Sequence, residues 1–169
     1  RLFRMPWGAQ GPAGSAQCVA GGPAESIVEP SFSPSGRLHF VSDRSGWWHL
    51  WALCEPEPVA LCPRAAEFAQ PPWVFGLSSH AFLGEREILC SYGRGGSGKL
   101  ARLDLASRAL RDLALPFSRF SGVAVAGRQA AFLASGADRV EALQLLDLDT
   151  SALHEVVAST SIAFEPELF

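Results

Sequence analysis

The stretch Gly93-Arg94-Gly95-Gly96-Ser97-Gly98-Lys99-Leu100 comes nearest to carrying a reaction. Glycine, four residues, then Gly-Lys-Ser/Thr is the loop whose amides cradle phosphate and whose hydroxyl holds magnesium. Here Leu100 stands where the hydroxyl residue belongs. The residues after Lys99, Leu100-Ala101-Arg102-Leu103-Asp104, read as a strand rather than a helix whose N-terminus could bind phosphate. The spacing points to a glycine-rich hairpin and not to a nucleotide site. A serine hydrolase needs Gly-x-Ser-x-Gly, the tight turn that exposes the nucleophile. The nearest text, Gly76-Leu77-Ser78-Ser79-His80, ends in His and precedes a strand. His39, His49, His80 and His154 occupy strand positions without ligand spacing or an adjacent nucleophile, which reads as packed or surface histidine. Zinc needs closely spaced pairs such as Cys-x-x-Cys, and Cys18, Cys54, Cys62 and Cys90 form none. A hairpin turning at Glu55-Pro56-Glu57-Pro58 places Cys54 near Val59 and Cys62 near Trp51, so these residues read as four reduced, buried thiols. No cofactor, metal or catalytic residue is expected from these groups.

Ser42-Asp43-Arg44-Ser45-Gly46-Trp47-Trp48-His49-Leu50 is the most specific string. Asp43 at a strand end can accept hydrogen bonds from the amides of the turn it opens. Gly46 permits the reversal, and Trp48 and Trp51 bring apolar area to the next strand. That is a structural role; the functional alternative makes Arg44 a carboxylate-binding group at one face of the fold. The segment 63–76 is long for a connection and rich in aromatic residues, holding Glu67, Phe68, Pro71, Pro72, Trp73 and Phe75. Long connections are often functional. Its aromatics either plug a gap between two sheets or present Glu67, Trp73 and Phe75 to a substrate or a neighbouring domain.

The elements that position these residues repeat. Gly36-Arg37-Leu38-His39-Phe40-Val41-Ser42 aligns with Arg86-Glu87-Ile88-Leu89-Cys90-Ser91-Tyr92 at an offset of 50, and that with Gln129-Ala130-Ala131-Phe132-Leu133-Ala134-Ser135 at 43. Phe32 falls on Phe82 and Val125, and Leu53 on Leu103 and Leu146. Short apolar runs with Gly and Pro punctuation at this period are the mark of four-stranded propeller blades. The expected fold is all-β, a partial β-propeller of about three complete antiparallel blades plus the end of a preceding one. Its divisions are a truncated blade at 1–23, a blade at 24–62, the connection at 63–76, blades at 77–115 and 116–157, and a linker from 158 to 169. With 169 residues, 48% of them hydrophobic, the chain can pack a core. A net charge of −3 without charge runs gives no footprint for nucleic acid or for a membrane surface, and no apolar run reaches the roughly 18 residues of a membrane span. Arg1 in place of Met, with strand text from the outset, reads as a fragment lacking its true N-terminus.

Glu29-Pro30-Ser31-Phe32-Ser33-Pro34-Ser35-Gly36-Arg37-Leu38-His39-Phe40-Val41-Ser42-Asp43-Arg44-Ser45-Gly46-Trp47-Trp48, with Ala66-Glu67-Phe68 and Pro72-Trp73-Val74-Phe75-Gly76 after it, closely resembles the β-propeller of bacterial prolyl oligopeptidase family serine peptidases of the acylaminoacyl peptidase or dipeptidyl aminopeptidase type. Ser35 departs from the usual Asp of the Ser-Pro-Asp-Gly turn. The resemblance covers nearly the whole chain. It implies a cytoplasmic protein whose further blades and α/β-hydrolase domain belong to the same polypeptide. The propeller caps that domain and restricts access to small peptides. No triad residue carries over onto this chain. Ala158-Ser159-Thr160-Ser161 and Glu165-Pro166 are similar to the family's linker towards the hydrolase domain. The alternative is a non-enzymatic TolB-like propeller that binds protein partners, because the same turns recur there.

Overall fold

The computed structural model describes residues 1–161, and every regular element among them is a strand. Near the N-terminus β1 (Leu2–Arg4), β2 (Trp7–Gly8), β3 (Gly11–Pro12) and β4 (Gln17–Ala20) form two small sheets, β1 with β4 and β2 with β3. The β2–β3 hairpin was not foreseen from the sequence. Three four-stranded antiparallel sheets come next, each in simple sequence order. They are β5 (Ile27–Phe32), β6 (Leu38–Ser42), β7 (His49–Ala52) and β8 (Val59–Ala60); β9 (His80–Phe82), β10 (Glu87–Arg94), β11 (Ser97–Asp104) and β12 (Leu110–Asp112); and β13 (Arg119–Ala126), β14 (Gln129–Gly136), β15 (Arg139–Asp147) and β16 (Leu153–Ala158). The chain is a partial β-propeller of open blades. β16 extends to Ala158, where a linker was expected to begin, and Glu165-Pro166 lie outside the described residues.

Turn chemistry sets the hairpins. Arg94 pairs with Ser97, leaving Gly95 and Gly96 at φ 60° and 86°, the doubly left-handed two-residue turn that only glycine adopts without strain. The phosphate-loop text is therefore a hairpin tip. Between the third and fourth strands the same device appears twice. Asp104 Oδ1 accepts the amides of Ala106 and Ser107 and the Ser107 hydroxyl, and Asp147 Oδ1 accepts those of Asp149 and Thr150 and the Thr150 hydroxyl. Each turn closes on a residue at φ 60°, Arg108 or Ser151.

The core lies in the two seams between blades. In the first, Val41, Leu50 and Ala52 meet Ile88, Cys90 and Leu103, with Phe68 wedged beside them. In the second, Leu89 and Leu100 meet Val123, Ala130, Phe132, Ala134 and Leu146. Fully burying one large side chain of this kind contributes about 1.5–3 kcal/mol, so the seams hold the sheets face to face. The middle blade is covered on both faces, which is why β10 is apolar at successive positions rather than alternate ones.

Two sequence expectations change here. Leu38, Ile88 and Ala130, not Ala131, are the equivalent residues, since they pair with Phe32, Phe82 and Val125. Five residues separate Phe32 from Leu38 and Phe82 from Ile88, but four separate Val125 from Ala130, so β14 slides by one and a register shift at Ala134/Gly136 restores the spacing. A one-residue slip exchanges the two faces of a strand. Phe132 is accordingly 0% exposed and Leu133 37%. Second, Trp51 pairs with Ala60 and Ala52 with Val59, two residues from the expected register. The four cysteines are free, yet only Cys62 and Cys90 are buried; Cys54 is half-buried and Cys18 exposed on the short terminal sheet.

Candidate functional site

The Ser42–Gly46 turn is built by short hydrogen bonds, but not those expected. Asp43 Oδ1 accepts the amide of Ser26 (2.8 Å), at the entry to β5, while the turn itself closes through Gly46 N to Asp43 O (2.8 Å) and Arg44 N to Ser42 Oγ (3.1 Å). Gly46 sits at φ 85°, the reversal foreseen for it. Arg44 does bind a carboxylate, that of Glu25, through Nε to Oε1 (2.9 Å) and Nη2 to Oε2 (3.1 Å), with its guanidinium 5.0 Å over the Trp51 ring. Burial raises the Glu25 pKa, but hydrogen bonds from Arg44, Ser42 and the Gly22 amide outweigh it and hold the carboxyl below its ordinary value. Arg44 is thus a brace with its carboxylate already in hand.

The 63–76 connection divides in two. Its first half enters the seam: Glu67 and Gly93 exchange backbone hydrogen bonds of 2.8 and 2.9 Å, and Phe68 N donates to Trp48 O (2.7 Å). Phe68 stacks on Tyr92 with ring centroids 5.4 Å apart. The Glu67 carboxylate accepts the Trp48 amide (2.7 Å), so Trp48 and Glu67, both singled out from the sequence, meet in one wall. The second half leaves the seam. Trp73, Val74 and Phe75 stand in solvent, with Trp73 85% exposed, so these aromatics plug nothing among the described residues.

Beside this wall opens a cleft of about 760 Å³, within the size range of ligand sites. Its sides are the foot of the connection (Gln70, Pro71), Leu77–Ser79 leading into β9, the Gly93–Lys99 hairpin and Ser118–Gly122 at the start of β13. Most of its charges are satisfied by the protein. Lys99 pairs with Asp112, Arg94 lies 5.7 Å over the Trp47 ring, and Glu67 holds the Trp48 amide. Tyr92 donates to Asp112 at 2.7 Å; burial first, then that bond, pushes its phenol up to about 12, while Lys99 and Tyr92 hold the Asp112 carboxyl low. Arg119 makes no ion pair, hydrogen bond or ring contact through its side chain among the described residues.

Glu29 and Ser79, which line the cleft, belong to a constellation the sequence did not reveal. Glu29 Oε2 accepts the Ser79 amide and hydroxyl, each at 2.7 Å, and lies 3.4 Å from His80 Nδ1, while His80 Nε2 hydrogen-bonds Ser31 Oγ at 2.8 Å. Acid, imidazole and hydroxyl stand in the order of a hydrolase relay. Their surroundings differ. The His80 side chain is 2% exposed, Nδ1 has no hydrogen-bond partner among the described residues, and Ser31 lies within β5 rather than on an exposed elbow. The group stitches the first blade to the second. Glu29 adopts φ 50°, at a break in the β5–β6 register, and Gly122, in the matching place on β13, has φ 62°. One signal could have found the cluster: the offset of 50 makes Glu29 and Ser79 equivalent residues, and equivalent residues on neighbouring inner strands lie side by side.

No family model and no curated protein matches the sequence. Solved structures do. Puromycin hydrolase matches with a TM-score of 0.83 and 27% identity over 95% of this chain and 25% of its own. A puromycin-hydrolysing peptidase of Mycobacterium tuberculosis matches with a TM-score of 0.86 and 23% identity over 96% of this chain and 25% of its own. TolB from Acinetobacter baumannii is more distant, at 0.65 and 14% identity over 86% of this chain and 36% of its own, a likeness of fold alone. The chain spans about a quarter of the length of the two peptidase structures, and its fold is that of the propeller part of prolyl oligopeptidase family peptidases.

Proposed function

We propose that this stretch of a prolyl oligopeptidase family propeller belongs to a cytoplasmic serine peptidase, in which it is not catalytic but caps the α/β-hydrolase domain of the same polypeptide and gates or orients small peptides. The observation that carries the reading is the puromycin hydrolase match, 27% identical over 95% of the chain. The cleft supports it, since it opens where strand ends of two blades and the foot of the 63–76 connection converge. Trp73 and Phe75, presented to solvent beyond that foot, are the residues we assign to contact with the hydrolase domain or with peptide. Arg44 and Glu67, already engaged with Glu25 and Trp48, hold the walls.

The test is kinetic and uses the intact polypeptide. A Trp73→Ala, Phe75→Ala double variant is expected to keep its thermal stability and to change kcat/KM for peptides several-fold, with the size of the change depending on peptide length. Unchanged kinetics towards every peptide removes the role of the tip. The TolB match favours a second reading, a non-enzymatic propeller that binds proteins. A Gly-x-Ser-x-Gly elbow encoded downstream of Phe169 decides for the peptidase, and a signal peptide upstream of Arg1 for the binding propeller.

A further inference from the structure

β13 is an edge strand with something to offer. Among the described residues it pairs in a sheet with β14 alone, so alternate N–H and C=O groups along its eight residues point away from that partner. The preceding blade takes three groups at this edge: Ser118 O accepts Gly98 N at 2.7 Å, Val123 N donates to Ser78 O at 2.9 Å, and Val123 O accepts the Ser78 hydroxyl at 2.8 Å. Between these pins lie Arg119, Phe120, Ser121 and Gly122, and all four line the cleft. Among the described residues Arg119 is also the cleft's cation with no anion or aromatic ring of its own, in contrast to Lys99 on Asp112 and Arg94 on Trp47.

We propose that the cleft receives an extended peptide that adds to the free edge of β13 and sets a carboxylate on Arg119. Main-chain groups of the edge supply affinity that is indifferent to sequence, as in strand addition generally, and the guanidinium supplies selectivity for a carboxylate, which it can hold through two parallel hydrogen bonds. The carboxylate is either the peptide's free C-terminus or an acidic side chain near it. The substrate class this adds to the proposed function is short anionic peptides. The inference rests on the reading of the chain as a peptide-handling propeller, but it concerns binding and not cleavage.

The experiment is fluorescence anisotropy with dye-labelled tetrapeptides and the intact polypeptide, treated beforehand with a fluorophosphonate to silence any hydrolysis. Against wild type, a peptide with a free C-terminal acid or an acidic side chain is expected to bind about tenfold more tightly than its amide or glutamine counterpart, the scale of one charge-assisted pair. Comparing the two carboxylate positions identifies the source. Arg119→Gln should abolish the preference and Arg119→Lys should retain part of it. N-methylation of alternate peptide amides should weaken binding in one phase and not the other, because an edge strand pairs with every second residue. Equal binding of acid and amide forms overturns the role of Arg119, and indifference to N-methylation in both phases overturns the edge-strand pose. Cleavage of peptides by the untreated protein with no carboxylate preference refutes this inference and leaves the peptidase reading intact. Carboxylate-dependent binding without any cleavage does the reverse.

Discussion

Glu29 and Ser79 occupy the same position in two successive blades, and the carboxylate of the first receives both the amide and the hydroxyl of the second at 2.7 Å. The contact fixes the seam beneath the cleft and keeps Glu29 at φ 50°, a conformation that side chains other than glycine seldom adopt. Glu29→Ala should therefore cost about 1.5–3 kcal/mol, the worth of hydrogen bonds to a charged, largely buried group. Glu29→Gly loses the same bonds but relieves the backbone, so it should be the more stable of the two. Urea unfolding checks the order; an alanine variant as stable as wild type means the carboxylate does not hold the seam.

Phe132 and Leu133 test the one-residue slide of β14. Phe132→Ala empties a filled seam and should cost about 3–5 kcal/mol, whereas Leu133→Ala, on the uncovered face, should cost under about 1 kcal/mol. The reverse order restores the uncorrected alignment of the repeats. The uncovered face also carries Leu143, paired with Leu133, and Val157, paired with Leu143. Produced by itself, the chain is expected to associate through it, and light scattering that shows a stable monomer at high concentration contradicts this.

Ser31, for all its hydrogen bond to His80, should not react with a serine-directed fluorophosphonate. It lies within a strand, its imidazole is sealed in the seam, and no exposed elbow presents the hydroxyl. Mass spectrometry after labelling is expected to find no modified serine in residues 1–161. Stoichiometric labelling of Ser31 gives the relay a chemical role.

Acid should destabilise the fold in two stages. His39, buried and edge-on to Phe82, titrates below its ordinary 6.5, chiefly because burial disfavours its charge. A histidine depressed in the folded state favours the unfolded chain once pH falls below the unfolded value, so a shallow loss of stability begins below about pH 6.5. Glu25, Asp104, Asp112 and Asp147 are held below their ordinary values of 4.5 and 3.8. Their contribution is complete above those values and is lost as pH falls through the depressed ones, giving a steeper second limb. Thermal melts from pH 7 to 3 measure both, and His39→Gln should flatten the first limb only.

Much of this was legible in the sequence because it is local. Short apolar runs, Gly and Pro punctuation and the spacing of Leu53, Leu103 and Leu146 suffice for four-stranded blades, and Gly95-Gly96 suffices for the hairpin that resembles a phosphate loop. Whatever depends on the neighbouring blade was not legible. Whether Phe132 or Leu133 faces the seam turns on one residue in the Ala126–Gln129 turn, which sequence similarity alone did not register. Arg44 looked free until Glu25, 19 residues away, was brought against it, and the Glu29–His80–Ser31 chain exists only where two inner strands meet. Turn and strand preferences are set by each residue's own backbone and nearest neighbours, so the chain carries them in its text. Which carboxylate finds which cation is decided by the stacking of the sheets, and only the tertiary structure supplies that.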